Sequence, residues 1–198
     1  MNRLAALLVL APLAALAEPA TWNIDPAHSQ SMFTIRHMVV SNVKGAFERT
    51  TGTVQLDDKD LGKSSVEATI DAASINTRVE NRDNDLRSAN FFDVRKYPTI
   101  TFKSTRVEKA GDGKLKVTGD LTMHGVTRPV VLDLEGPTPA IKDMQGKQRR
   151  GLNATTTINR KDFGLSWNKM IEAGPVVGDE VKIEIEAELV AAEGKGTN

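Results

Sequence analysis

Three histidines, His28, His37 and His124, are the residues of this chain best suited by type to proton transfer or metal ligation near neutral pH. No two of them stand two, three or four positions apart, the spacings that gather ligands on one strand or helix face. No metal is therefore expected. The chain has no cysteine, which removes thiolate nucleophiles, redox pairs and soft metal sites together. A serine hydrolase would need a Gly-x-Ser-x-Gly elbow, and none occurs.

Each histidine has a quieter reading. His28 lies in Asp25-Pro26-Ala27-His28-Ser29, where Asp and Ser readily organise a turn. His124 lies in the tight connection Met123-His124-Gly125-Val126 and reads as a turn residue before it reads as a catalyst. His37 shares a strand face with Phe33 and Ile35. It is either a polar point that bonds a ligand's head group or a structural hydrogen bond inside an apolar interior. Asp162-Phe163-Gly164 has the letters of the kinase magnesium triplet but none of its companion loops. Arg82, Arg87, Arg95 and Lys96 could hold a phosphate, yet Glu80, Asp83, Asp85 and Asp93 interleave with them, so internal salt bridges are expected. Nothing here calls for a cofactor, and none is expected.

The elements that carry these residues show a period of two, the mark of strands with one buried face. Val54 and Leu56, then Val66, Ala68, Ile70 and Ala72, then Ile100 and Phe102, each alternate with polar neighbours. Leu115, Val117, Gly119, Leu121 and Met123 continue the pattern. Val130, Leu132 and Leu134 answer them, followed by Leu152, Ala154, Thr156 and Ile158. In the last run Val181, Ile183, Ile185, Ala187 and Leu189 face one way while Lys182, Glu184, Glu186 and Glu188 face the other. About eight strands joined by short turns predict an all-β, closed antiparallel barrel, because closure removes exposed edges. Such a barrel is either filled by its own side chains or hollow, and small inward residues such as Ala68, Ala72, Gly119 and Ala154 leave both open.

One segment departs from the pattern. Thr77-Arg78-Val79-Glu80 has capping-box spacing and predicts a short helix with Val79, Leu86 and Ala89 packed and Arg82, Asp85 and Arg87 in solvent. Phe91 and Phe92 follow, and only one of two adjacent rings points inward unless the chain turns. The stretch 137–151 reads as a solvated hairpin tip. The stretch 164–178, with Trp167 and Met170 outside any alternation, reads as a loop across a barrel mouth.

Residues 1–17 have the charged start, apolar run and small-x-small end of a secretory signal peptide. Residues 18–190 then form one barrel domain and 191–198 a disordered tail. The 26 basic and 26 acidic residues balance, which excludes nucleic acid or an acidic membrane surface as a partner held by net charge.

Several ordered motifs carry a resemblance: Asp25-Pro26-Ala27-His28-Ser29, Arg36-His37-Met38, Gly45-Ala46-Phe47, Asn90-Phe91-Phe92-Asp93-Val94, Tyr97-Pro98-Thr99-Ile100-Thr101-Phe102, Gly119-Asp120-Leu121-Thr122-Met123-His124-Gly125 and Asn159-Arg160-Lys161-Asp162-Phe163-Gly164. Over residues 20 to 190 the chain resembles the YceI family of bacterial exported proteins. The resemblance implies a lipocalin-like barrel in the periplasm that binds a polyisoprenoid or quinone-like lipid, with no catalytic residues and a possible homodimer. Combined with strand parity, it points to Phe33, Ile35, Phe47, Phe102, Leu121 and Met123 around the lipid tail. Phe91, Phe92, Phe163 and Trp167 fall near a mouth, and His37 is the head-group candidate. The rival readings are an enzyme acting on such lipids through His37 or His124, and a packed barrel serving as an interaction module for a membrane redox protein.

Overall fold

The computed structural model describes residues 19–193. The signal-peptide reading lies outside the described residues, as does the tail beyond Glu193. In chain order the elements are β1 (Ala20–Ile24), β2 (Gln30–His37), β3 (Ser41–Phe47), β4 (Thr50–Leu56), β5 (Ser65–Asp71), β6 (Ile75–Asn76) and α1 (Glu80–Arg87), then β7 (Thr99–Gly111), β8 (Lys114–Met123), β9 (Val126–Glu135), β10 (Ile141–Lys142), β11 (Gln148–Asn159), β12 (Met170–Ile171), β13 (Gly174–Pro175) and β14 (Val177–Ala191).

The ladder runs β11-β9-β8-β7-β5-β4-β1-β14, and β14 then pairs back onto β11, closing an antiparallel barrel of eight staves. Two staves are each made of two strands. β2 pairs with β14 over Val177–Glu186 and β1 pairs with it over Leu189–Ala191, so β1 and β2 share one stave. β3 lies on β2 and β4 on β1, with Glu48 and Arg49 at the join. The closing seam spans Arg149↔Val190 to Asn159↔Glu180. In a chain without cysteine this seam does the work of a covalent tie, because it leaves no edge to fray.

Strand parity is the physical cause. In β8, Leu115, Val117 and Met123 are buried, while Lys116 reaches Asp133 across the outer face at 2.8 Å. Such exposed pairs add little energy. The inward apolar rows hold the staves in register, since a slip of one residue would turn a whole row to water.

One end of the barrel is stopped by Trp22, packed with Ile24, Val54, Leu56 and Leu189. The Arg150 guanidinium lies over the indole at 5.1 Å and donates to Asp58 at 2.8 Å. The last stave continues past residue 190: Ala191 pairs with Trp22, and the Ala192 N–H donates to the Thr21 carbonyl.

At the other end two connections cross. One is the 3₁₀ turn Arg160–Phe163 with the loop behind it. The other is the stretch between β5 and β7, which holds α1. The helix differs from its expected packing. Val79 is its N-cap and makes no side-chain cap bond, so the Thr77–Glu80 box does not form. Instead the buried Asp83 carboxylate accepts the Thr77 N–H at 2.9 Å and the Thr77 hydroxyl at 2.5 Å. Arg82 donates to the Thr77 hydroxyl and carbonyl, and Arg87 donates to the Ala73 and Ile75 carbonyls. Arg82 and Arg87, expected in solvent, thus face inward; of the residues expected to pack, Leu86 does join the core while Val79 and Ala89 are exposed. The reason is an accounting of backbone groups: residues 73–77 lie at the end of the sheet, where β6 pairs with β3 alone, and guanidinium donors satisfy the Ala73, Ile75 and Thr77 carbonyls. For the same reason Arg82 and Arg87 do not spend their donors on the neighbouring carboxylates, as the salt-bridge reading expected.

Candidate functional site

The barrel encloses a cavity of about 660 Å³ whose wall is overwhelmingly apolar. Phe33 and Ile35 on β2, Phe47 on β3, Phe102 on β7, and Leu121 and Met123 on β8 all line it. Phe33, Phe47 and Phe92 form an aromatic chain along one side, with centroids 5.9 and 5.5 Å apart. Edge and tilted contacts of this kind suit the ring quadrupole and fix the rings in place.

Two glycines explain how the rings fit. A Cβ on Gly45 would stand 2.5 Å from the Phe33 ring and 2.8 Å from the Thr77 methyl. One on Gly119 would stand 2.4 Å from the Phe102 ring and 2.6 Å from the Lys103 carbonyl. Space that the sequence assigned to a guest at Gly119 is therefore taken by Phe102. Ala68 and Ala154 do line the cavity.

Both rings of Phe91-Phe92 reach the cavity because the chain turns under them. The N–H groups of Phe91 and Asp93 donate to the Ser88 carbonyl, that of Phe92 donates to the Leu86 carbonyl, and Asp93 sits at φ +45°. Phe91 then tilts against Trp167 at 5.2 Å, where both border the open end. Phe163 stands apart from the others. It is 2% exposed in a core with Ile75, Ile100, Met123 and Leu165, and it plugs part of the barrel end instead of lining the cavity.

At the rim Arg36, His37, Asn81, Arg82 and Asp85 meet the apolar wall, while the buried hydroxyls of Ser31 and Thr50, which also line the cavity, bond each other at 3.2 Å. His37 is half-buried at the end of β2, opposite Val177, and its ring makes no hydrogen bond among the described residues. Its ring nitrogens are thus available to a guest's head group.

The strap over the open end is organised by Arg160, which parity alone did not single out. This residue is 3% exposed. Its guanidinium donates to the carbonyls of Leu165, Trp167 (3.0 Å), Val177 and Gly178 (2.8 Å), and reaches Asp179 at 3.4 Å. Burial pushes its pKa down from the ordinary arginine value, with the Asp179 charge acting against that. Asn168 finishes the job, donating to the Val177 carbonyl at 2.6 Å and accepting its N–H at 3.0 Å. A signal existed: Arg160 follows Ile158 at the inward parity, and a charge at an inward position needs partners.

The other two histidines lie off the cavity wall. His124, at φ +52°, stacks edge-on against Tyr97 at 4.7 Å, and its Nδ1 is 3.3 Å from the Phe163 carbonyl. His28 Nδ1 is 2.9 Å from Asp25 at the closed end, in the break between β1 and β2. Asp25, His28 and Glu188 place ligand atoms within 4.8 Å of one another. However, Arg149 already bridges Asp25, Asp143 and Glu188, so this group reads as an ionic staple at the closed end. The hydrogen bonds from His28 and Arg149 hold the Asp25 carboxyl down at about 2, and Asp25 raises the His28 pKa in return.

Fold and cavity together define a class: closed antiparallel barrels built as containers, stopped at one end, apolar within and polar at the rim. The YceI-like domain family model matches residues 22–189, and the chain belongs to that family. A UPF0312 protein of Staphylococcus aureus is 38% identical over 173 residues, covering 87% of this chain and 98% of that protein. One from Vibrio cholerae is 37% identical over 179 residues, covering 90% and 93%. Among solved structures, the Campylobacter jejuni YCEI protein matches with TM-score 0.69 and 33% identity over 80% of this chain and 90% of that one. Burkholderia cenocepacia BcnA matches with TM-score 0.72 and 25% identity, covering 85% and 99%. A polyisoprenoid binding domain from Saccharophagus degradans shares the fold at TM-score 0.63 and 17% identity, covering 88% of this chain and 99% of that domain.

Proposed function

We propose that this protein is a carrier, without catalytic activity, that holds a long amphiphilic lipid, a polyisoprenoid or an isoprenoid quinone, with its tail inside the barrel and its head group at the rim beside His37. The signal-peptide pattern of residues 1–17 supports the periplasm as the place of that work. The single observation that carries the reading is the apolar cavity of about 660 Å³, open at one end under a polar rim. Its size falls within the roughly 300–1,000 Å³ of small-molecule sites. Each buried methylene contributes about 0.8 kcal/mol before ordering costs, so a prenyl tail gains affinity by length without needing a polar contact deep in the barrel. The fold shared with a polyisoprenoid binding domain supports the same guest.

The cavity weighs against the packed-barrel reading. Against the enzyme reading weighs the position of the histidines: His124 is engaged with Tyr97 and Phe163 off the cavity wall, which leaves His37 without a second histidine there. Uptake of added prenyl alcohols and quinones, followed by Trp167 fluorescence, tests the reading. Saturable quenching is expected in the natural protein, with at least about tenfold weaker binding in Ala68→Phe, which narrows the cavity with a ring. Absence of uptake, or chemical turnover of the lipid that His37→Ala abolishes, would contradict it.

A further inference from the structure

Among the described residues, the large hydrophobic side chains most exposed to water are not scattered. Of nine, six (Met38, Val39, Val40, Val79, Met170 and Ile171) stand on three segments around the open end of the cavity. Two of these segments touch. The Met38 N–H donates to the Val176 carbonyl at 2.8 Å, and a Cβ built on Gly174 would lie 3.5 Å from a Val39 methyl. The third, Val79, opens α1 and itself lines the cavity.

The backbone at the first tip is unfavourable for its residues. The Val40 N–H donates to the His37 carbonyl at 3.0 Å, closing a turn in which Met38 sits at φ +49° and Val39 at φ +59°. Positive φ at both central positions is the pattern that Asn-Gly and Gly-Gly serve, and a β-branched residue there is a steric outlier. Turn chemistry has yielded to the display of two apolar side chains, and strain of this kind concentrates at functional points.

We propose that these tips seat the open end of the barrel on a lipid bilayer, inserting into its interface so that a prenyl tail passes between bilayer and cavity without crossing water. The inference rests on the reading that the cavity holds a lipid. The occupant is a bilayer and not a second copy, because a protein seated on these tips would cover the opening by which a guest enters. With formal net charge zero, apolar insertion and not charge attraction supplies the binding.

The test is flotation of the full mature chain with phosphatidylcholine vesicles at low and high salt. The natural protein is expected to float equally at both. The triple variant Met38→Asn, Val39→Gly, Met170→Ser should lose at least about tenfold in vesicle binding. Because Asn-Gly suits this turn, the variant should resist urea at least as well as the natural protein, and its uptake of a prenyl alcohol from detergent solution should be unchanged. Ile141→Ser with Met144→Ser, which removes exposed apolar groups elsewhere, should float like the natural protein. Failure of the natural protein to float, equal flotation of the triple variant, or flotation lost at high salt would overturn the proposal. So would a dimer in sedimentation that the triple variant abolishes. A protein that takes up prenyl alcohol yet does not float refutes the docking alone; one that floats yet takes up nothing refutes the cavity reading instead.

Discussion

Asp25 and His28 show how one ion pair sets a pH window. The Asp25 carboxyl, only 14% exposed, is held at about 2 by His28 and Arg149, so its stabilisation is complete above the ordinary carboxylate value and is lost as pH falls through about 2. The His28 pKa is raised, so its stabilisation is complete below the ordinary histidine value and is lost as pH rises through its folded value. The pair therefore supports the fold most between about pH 4 and pH 6.5. In Asp25→Asn the NMR titration of His28 should move down toward the ordinary value, and the urea midpoint should lose part of its dependence on pH below 4; an unmoved His28 would refute the coupling. Arg160 makes a second case. Arg160→Met takes the guanidinium donor from the Leu165, Trp167 and Gly178 carbonyls, Val177 keeping Asn168, and a loss of about 3 kcal/mol in urea unfolding is expected, with faster proteolysis between Leu165 and Val177. At this scale the sequence was readable where a residue acts on near neighbours, as in the Asp25–Ser29 turn. It was opaque where a side chain serves carbonyls up to eighteen positions away.

Among the elements, the strands were legible and the crossing segments were not. Period-two rows in β8, β9, β11 and β14 name their own buried faces because a half-buried strand has only two faces to offer. The start of β14 escaped, since the register shifts between Val177 and Val181 and breaks the alternation there. Helix α1 was placed and its Leu86 packs as expected, but the roles of Val79, Ala89, Arg82 and Arg87 were reversed. Its packing is decided by carbonyls of residues 73–77 that need donors, a demand written in the tertiary fold and absent from the helix's own periodicity. Asp83 is the measure of this. Asp83→Ala strands the Thr77 N–H and hydroxyl, and should cost about 1–3 kcal/mol in urea unfolding despite lying on a polar helix. A cost near zero would mean that the helix is an ornament on the barrel.

For the molecule as a whole, closure and hollowness have different causes. Closure follows from eight one-faced strands with no disulfide to protect an open edge. Hollowness could not be read from parity, because the same inward rows describe a filled barrel. It depends on details such as Gly45 and Gly119, which let Phe33 and Phe102 fold against the wall, and on Ala68 and Ala154, where the wall is thin. An overwhelmingly apolar wall of this kind favours a guest by area and not by chemistry, and two of its few inner polar groups, the Ser31 and Thr50 hydroxyls, bond each other. The most direct measurement is native mass spectrometry of gently purified protein, followed by organic extraction and identification of what is released. The account predicts a protein carrying one isoprenoid chain, lost in Ala68→Phe. A protein that emerges empty, and stays empty when offered prenyl alcohols and quinones, would contradict it.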